Sequence, residues 1–141
     1  MGIAHGSALP KTVLFVCQEN SCRSQIAAAI FNCMANPAVV RAVCAGLRPA
    51  RRVHPKLKSA MLEIGIDLRD PVPRLVSPDR VARAHLLITM GCADACPTPA
   101  AIPRDDWFLP QSAGPSIDDL REIRVQIESR VRSLIAAHPW E

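Results

Sequence analysis

At 141 residues, with 49% apolar side chains and no apolar run of transmembrane length, the chain fits one domain around a single sizeable core and argues against a membrane-bound protein. The net charge of +4 comes from dispersed arginines, and aromatics at 4% with no Tyr lack the basic stripe with interleaved rings that nucleic-acid binding uses, so a small anionic substrate fits better. Six cysteines, behind ten residues that lack the charged start and apolar stretch of an export signal, set the expectation of a reducing, cytoplasmic compartment where thiols serve chemistry more often than structural disulfides.

Residues 1–10 read as a flexible N-terminal segment and 11–141 as one domain. The first element expected is a strand over Thr12–Val16, an apolar run that delivers Cys17 into the polar turn Gln18-Glu19-Asn20-Ser21-Cys22-Arg23-Ser24. Helix formers follow at once, predicting a helix from Ser24 to about Ala35. A strand that empties into a helix N-terminus aims backbone N–H groups at one point, where they favour a thiolate and any bound oxyanion. Arg23 adds a planar fork matched to two oxygens of a tetrahedral anion, and the Ser24 hydroxyl is placed to donate to the Cys17 sulfur. Asn20 suits a loop held by side-chain hydrogen bonds. The bland alternative is a buried structural cysteine beside a surface arginine.

Asn36-Pro37 breaks the chain before a second strand over Val39–Ala45. A second helix is expected from Pro55 to about Ile64, with Leu57, Ala60, Met61 and Ile64 on one face. The stretch from Asp70 to Asp79 is loop leading into a short helix, His85–Met90 is the third strand, and Ala101–Leu109 holds a weaker fourth. The closing helix follows the Gly114-Pro115 turn: Ser116 caps it, Asp118 and Asp119 sit at its positive end, and Ile117, Leu120, Ile123, Ile127, Val131, Leu134 and Ile135 recur at helical spacing. Alternating strands and helices imply a parallel sheet with helices on both faces, and Cys17 lies at a strand's carboxyl end, where such sheets bind ligands.

A second constellation, Thr89-Met90-Gly91-Cys92-Ala93-Asp94-Ala95-Cys96-Pro97, lies just past the third strand. If the first and third strands are neighbours, it reaches the rim that carries Cys17, and a nucleophile plus a nearby thiol pair makes a disulfide relay. Zinc is the competing use of the pair, but no complementary Cys or His pair accompanies it and His54 and His85 are isolated. No metal or cofactor is therefore expected. Cys33 and Cys44 read as core side chains.

The Cys17–Ser24 loop, Cys44-Ala45-Gly46-Leu47, Arg52-Val53-His54-Pro55, Gly65-Ile66-Asp67, Ile88-Thr89-Met90-Gly91-Cys92 and the final helix resemble arsenate reductases of the low-molecular-weight protein tyrosine phosphatase fold, from Lys11 to His138. The resemblance implies a four-stranded parallel sheet. It also implies that Cys17 attacks arsenate held by the loop amides and Arg23, with phosphate or sulfate able to occupy the same site. Cys92 then attacks Cys17, releasing arsenite, and Cys96 attacks Cys92, passing the disulfide to thioredoxin or a similar reductant. In the small-thiol variant glutathione or mycothiol makes the second attack, with a small-thiol or glutaredoxin-type reductant as partner.

The chain departs from that pattern in three places. Gln111-Ser112 stands where the family's Asp-Pro supplies the general acid, leaving Asp105 and Asp106 as candidate acids or as solvated turn residues, and phosphotyrosine hydrolysis is expected to be weak. Ala28 and Cys44 stand where a cation site alongside Asn20 and Asp67 would need acidic and hydroxyl ligands, so no tightly bound potassium is expected. Cys22 is either a protective disulfide partner for Cys17 or a small packed side chain. An aryl-phosphate phosphatase and a non-catalytic oxyanion binder are the competing functional readings.

Overall fold

A computed structural model describes residues 9–92, 96, 102–109, 116–138 and 140. The elements run β1 (Lys11–Cys17), α1 (Arg23–Met34), β2 (Val40–Gly46), α2 (Leu57–Leu62), α3 (Pro78–Ala82), β3 (Leu86–Thr89), β4 (Arg104–Asp106) and α4 (Ile117–Ala137). The strands form one sheet in the order β2-β1-β3-β4, and every pairing is parallel. The chain goes to one side of β1 for β2 and to the other for β3, so the strand order reverses at the carboxyl end of β1. Ligand crevices of open α/β sheets open at such a point, and Cys17 stands there.

Val13 to Cys17 are all buried because β1 is central and covered on both faces. Successive side chains alternate between two cores. Val13, Phe15 and Cys17 join the larger one, with Ile26, Ile30 and Phe31 of α1, Leu57, Ala60 and Met61 of α2, and Leu120, Ile123, Ile127 and Val131 of α4. Leu14 and Val16 face the smaller one, with Val76, Val81 and Ala84 around α3 and with Cys92 and Cys96. Phe15 sits at the centre of the larger core, its ring 5.4 Å from that of Trp107 and 6.1 Å from that of Phe31.

β2 is an edge strand whose outer backbone groups need partners. Asn32 on α1 supplies them at Ala42, accepting from its N–H at 2.8 Å and donating to its carbonyl at 2.9 Å. α4 begins with a capping box: the Ser116 hydroxyl accepts from the Asp119 N–H, and the Asp119 carboxylate accepts from the Ser116 N–H. Glu63, just past α2, accepts from Arg121 and Arg124 of α4 and ties those helices together.

Several expectations shift. Cys33 is exposed rather than core, because the inner line of the last turn of α1 passes through Phe31 and Ala35 and Cys33 lies two residues, or about 200°, from each. Ile64 does not join the buried face of α2: the helix ends at Leu62, and the chain turns through Gly65 at φ +81°. Cys44 is half-buried, and β2 continues past it to Gly46. β4 shrinks to three exposed residues. The readings placed on residues 1–8, Asp94, Ala101, Gln111-Ser112 and Gly114-Pro115 lie outside the described residues.

Candidate active site

The turn after β1 presents its amides inward because its carbonyls are all taken on the outside. The carbonyls of Cys17, Gln18, Glu19 and Ser21 accept from the N–H groups of Leu47, Arg48, Ala50 and His54, and that of Cys22 accepts from Ile26. The Asn20 carbonyl accepts from the Gln25 side chain at 3.1 Å. No described peptide is cis, and in a trans peptide the N–H points opposite to its C=O. The amides that follow these carbonyls, from Gln18 to Arg23, therefore turn to the concave side. One of them shows the result directly: the Glu19 carbonyl goes out to Ala50, and the Asn20 N–H lies 3.2 Å from the Cys17 sulfur.

Asn20, fully buried at φ +52°, locks this turn and sets the direction of the hydrogen bonds that reach Cys17. The Arg74 backbone N–H can only donate, and it meets Asn20 Oδ1 at 2.9 Å. Nδ2 is then the group that faces Ser24 Oγ at 2.7 Å, so the serine oxygen accepts there. The hydroxyl hydrogen is left to point at Cys17 Sγ, 2.9 Å away. A backbone amide in the loop beside β2 thus orients a chain of donors that ends on the sulfur.

Arg23 opens α1, whose N-terminus carries no side-chain cap. Its Nε is buried without a hydrogen-bond partner among the described residues. A buried donor left unmatched costs about 1–3 kcal/mol, which an anion seated over the turn recovers by accepting from Nε and from the first amides of the helix. Gln18, Glu19, Asn20, Ser21, Cys22, Arg23 and Ser24, expected from sequence to form an oxyanion cradle, lie together in the turn that follows Cys17.

The other thiols fall into two groups. Cys22 is half-buried, and its thiol is pushed up by burial and then by the neighbouring Cys17, against the pull of Arg23. Cys44 is also raised by burial and lies within reach of the Asn20 side chain. Cys92 and Cys96 stand at the same carboxyl rim as Cys17 but in the smaller core, on the other face of the sheet. The Cys92 thiol donates to the Val16 carbonyl at 3.4 Å, one residue from Cys17. Burial raises it, with the charges of Cys17 and Asp106 behind, while the Met90 backbone and Arg23 act the other way. Cys96 is pushed up to about 11 by burial and then by Cys92. β1 and β3 are neighbours as expected, yet the three thiols do not meet on one face.

Asp105 and Asp106, the candidate acids, are occupied elsewhere. Asp106 Oδ1 accepts from the Thr89 hydroxyl at 2.5 Å and from the Gly91 N–H at 3.1 Å, and Asp105 Oδ1 accepts from the Asp106 N–H at 2.9 Å. No hydrogen bond joins either to the Cys17 turn among the described residues. This pairing, and the roles of Gln25, Arg74 and Gly46 in holding the turn, were not read from sequence. Gln25 left a trace there, as an amide on the inner line of an apolar helix; Arg74 and Gly46 act through backbone and left none. No cluster of three or more His, Cys, Asp or Glu side chains among the described residues is placed to hold a metal ion.

Comparison with known proteins agrees with the geometry. The family described as low molecular weight phosphotyrosine protein phosphatase matches residues 12–138. An arsenate reductase of Brevibacillus brevis is 33% identical over 126 residues, covering 86% of this chain and 92% of that protein. A glutaredoxin arsenate reductase of Synechocystis sp. is 34% identical over 133 residues, covering 89% and 97%. Among solved structures, the thioredoxin-dependent arsenate reductase of Corynebacterium glutamicum superposes with a TM-score of 0.81 at 31% identity, covering 93% of this chain and 63% of that one.

Proposed function

The chain belongs to the low molecular weight phosphotyrosine protein phosphatase family, and within it we propose an arsenate reductase that works through Cys17, Cys92 and Cys96. The reading is carried by the likeness to reductases along nearly the whole chain, at 33% and 34% identity. The amides from Gln18 to Arg23 and the Arg23 fork bind arsenate, and the Cys17 thiolate attacks arsenic. An oxygen of dihydrogenarsenate leaves as water, taking the two protons the oxyanion brings, which fits a site where Asp106 is committed to Thr89 and Gly91.

The second step reduces arsenic. The Cys92 sulfur, having lost its proton, attacks Cys17 Sγ; an S–S bond forms, the S–As bond breaks, and its electron pair stays on arsenic, which leaves as arsenite. Cys96 then attacks Cys92, returning Cys17 to the thiolate and leaving a Cys92–Cys96 disulfide. A dithiol carrier of the thioredoxin or glutaredoxin class reduces that bond. Since Cys92 rests against Val16 on the opposite face, the turn after β3 has to swing over the rim for the attack.

A competing phosphatase reading draws on the same cradle, since a tetrahedral phosphate fits it as well. Arsenate reduction and aryl-phosphate cleavage measured side by side on the native protein and on Cys17→Ser, Cys92→Ser and Cys96→Ser separate the two. Loss of reductase turnover in all three variants, with little phosphatase activity, is expected. Full reductase turnover in Cys92→Ser would leave only the external-thiol route, and efficient aryl-phosphate cleavage unaffected by Cys92 or Cys96 would replace the reductase by a phosphatase.

A further inference from the structure

The residue that clamps the turn carrying Cys92 comes from β4, the strand with no buried side chain. Thr89 ends β3 and pairs in register with Asp106, the last residue of β4. Thr89 is 2% exposed, and its hydroxyl closes on Asp106 Oδ1 at 2.5 Å. The same oxygen accepts the Gly91 N–H at 3.1 Å. Gly91 has φ +86°, a conformation that L side chains rarely adopt, so the chain reverses between Met90 and Cys92. Trp107, next to Asp106, fastens the clamp from the strand side: its N–H donates to the Thr89 carbonyl at 2.7 Å, and its ring is packed on Phe15.

We propose that Asp106 is the positioning residue for Cys92: its carboxylate holds Thr89 and Gly91 together and thereby parks the Cys92 sulfur against Val16 at the end of β1. The proposal deepens the relay reading above and rests on it for its catalytic meaning. A carboxylate accepting from a hydroxyl and an amide holds the turn more tightly than neutral partners do. Its charge also acts on the thiol it positions. The groups that act on Cys92 are Cys17 at the end of β1, Arg23 at the start of α1, the Met90 backbone after β3 and Asp106 at the end of β4, while Cys92 in turn acts on Cys96. Burial holds the thiol protonated first, Cys17 and Asp106 add to it, and Met90 and Arg23 oppose. Asp106 thus keeps Cys92 parked and protonated until the adduct forms on Cys17, when the thiol must shed its proton to attack.

The clamp and the charge separate in two variants. Asp106→Asn keeps the Oδ1 acceptor and removes the charge; Asp106→Ala removes both. Cys92 alkylation by iodoacetamide, resolved by peptide mass spectrometry across a pH series, reads them on the full chain, with thermal melting run alongside. Both variants should move the midpoint of Cys92 labelling to lower pH. Asp106→Ala should raise its high-pH plateau rate by about tenfold or more, as two bonds to a charged acceptor are lost, and Asp106→Asn should raise it by less. Cys17 labelling should stay within about twofold in both, as the turn after β1 makes no hydrogen bond to Asp106 among the described residues. A Cys92 midpoint and plateau equal to the native values in both variants would overturn the proposal, as would equal plateaus in Asn and Ala.

One measurement keeps the two readings apart. Single-turnover reaction with arsenate and no external reductant yields a Cys17–Cys92 disulfide if the relay operates. Its absence in the native protein sinks the relay, while the labelling contrast still decides whether Asp106 positions Cys92.

Discussion

Gly46 at the end of β2 lies so close to Asn20 that a Cβ on it would stand 2.8 Å from the Asn20 nitrogen and 2.8 Å from the Glu19 carbonyl carbon. Both are backbone atoms of the turn that cradles Cys17, and neither can swing aside as a side chain tip does. The edge strand therefore shapes the site by what it lacks. Gly46 also accepts from the Val76 N–H and donates to the Arg74 carbonyl, which brings the Arg74 N–H to Asn20.

Gly46→Ala should push the turn out of shape while leaving the sheet folded. We expect oxyanion affinity to fall by about tenfold, for a cost of about 1–3 kcal/mol typical of an overpacked methyl. Calorimetric titration with phosphate as the probe reads the affinity, and thermal melting reads the fold. Unchanged phosphate affinity would mean that the turn tolerates displacement.

Ser24→Ala removes the hydrogen aimed at the Cys17 sulfur and leaves one Asn20 N–H unmatched. A hydrogen bond to a charged group contributes about 1.5–3 kcal/mol, so alkylation of Cys17 at neutral pH should slow by about tenfold or more. Ser24→Thr, which keeps the hydroxyl, should lose less. Equal rates in the native and alanine proteins would show that the amides alone sustain the thiolate.

Arg23→Lys keeps the charge and discards the planar fork, including the buried Nε that has no hydrogen-bond partner among the described residues. Steady-state kinetics should show kcat/KM for arsenate falling about 10- to 100-fold, since a point charge cannot reproduce a bidentate bond. Turnover near the native value would place oxyanion recognition on the backbone amides.

The tie between α2 and α4 should be sensitive to acid. Arg121 and then Arg124 hold the Glu63 carboxylate down from 4.5 to about 2. Because the folded value lies below the unfolded one, the stabilisation is present in full above about pH 4.5 and fades as pH falls towards about 2. The pair lies at the surface, so salt should also weaken it. Melting temperatures from pH 6 to 2 should fall more steeply in the native protein than in Glu63→Gln; parallel curves would remove Glu63 from the account.

Some of this was legible before any fold was known. The run Val13 to Val16 is apolar on both faces, which only a central strand requires, and the capping of α4 is written in Ser116 followed three residues later by Asp119. The Ser24 hydroxyl at the Cys17 sulfur follows from local geometry alone, as the two are seven residues apart on one strand-turn-helix unit. Cys33 was misread because apolar spacing shows a helix's inner face only while a neighbour covers it, and the last turn of α1 buries just Phe31 and Ala35. The hydrogen bonds of Asp106 were not legible because its partners Thr89 and Gly91 lie 17 and 15 residues away, joined by strand register.

The amino-acid sequence by itself determined the central strand, the turn with Cys17 and Arg23, and the long closing helix, because each depends on residues within one or two turns of each other. Tertiary structure alone decided which way the hydrogens run to Cys17, through the Arg74 amide and Asn20, and on which face of the sheet Cys92 and Cys96 rest. Those outcomes depend on strand order and register, set by the burial of both sheet faces at once, a sum over contacts distant in the chain that no local pattern records.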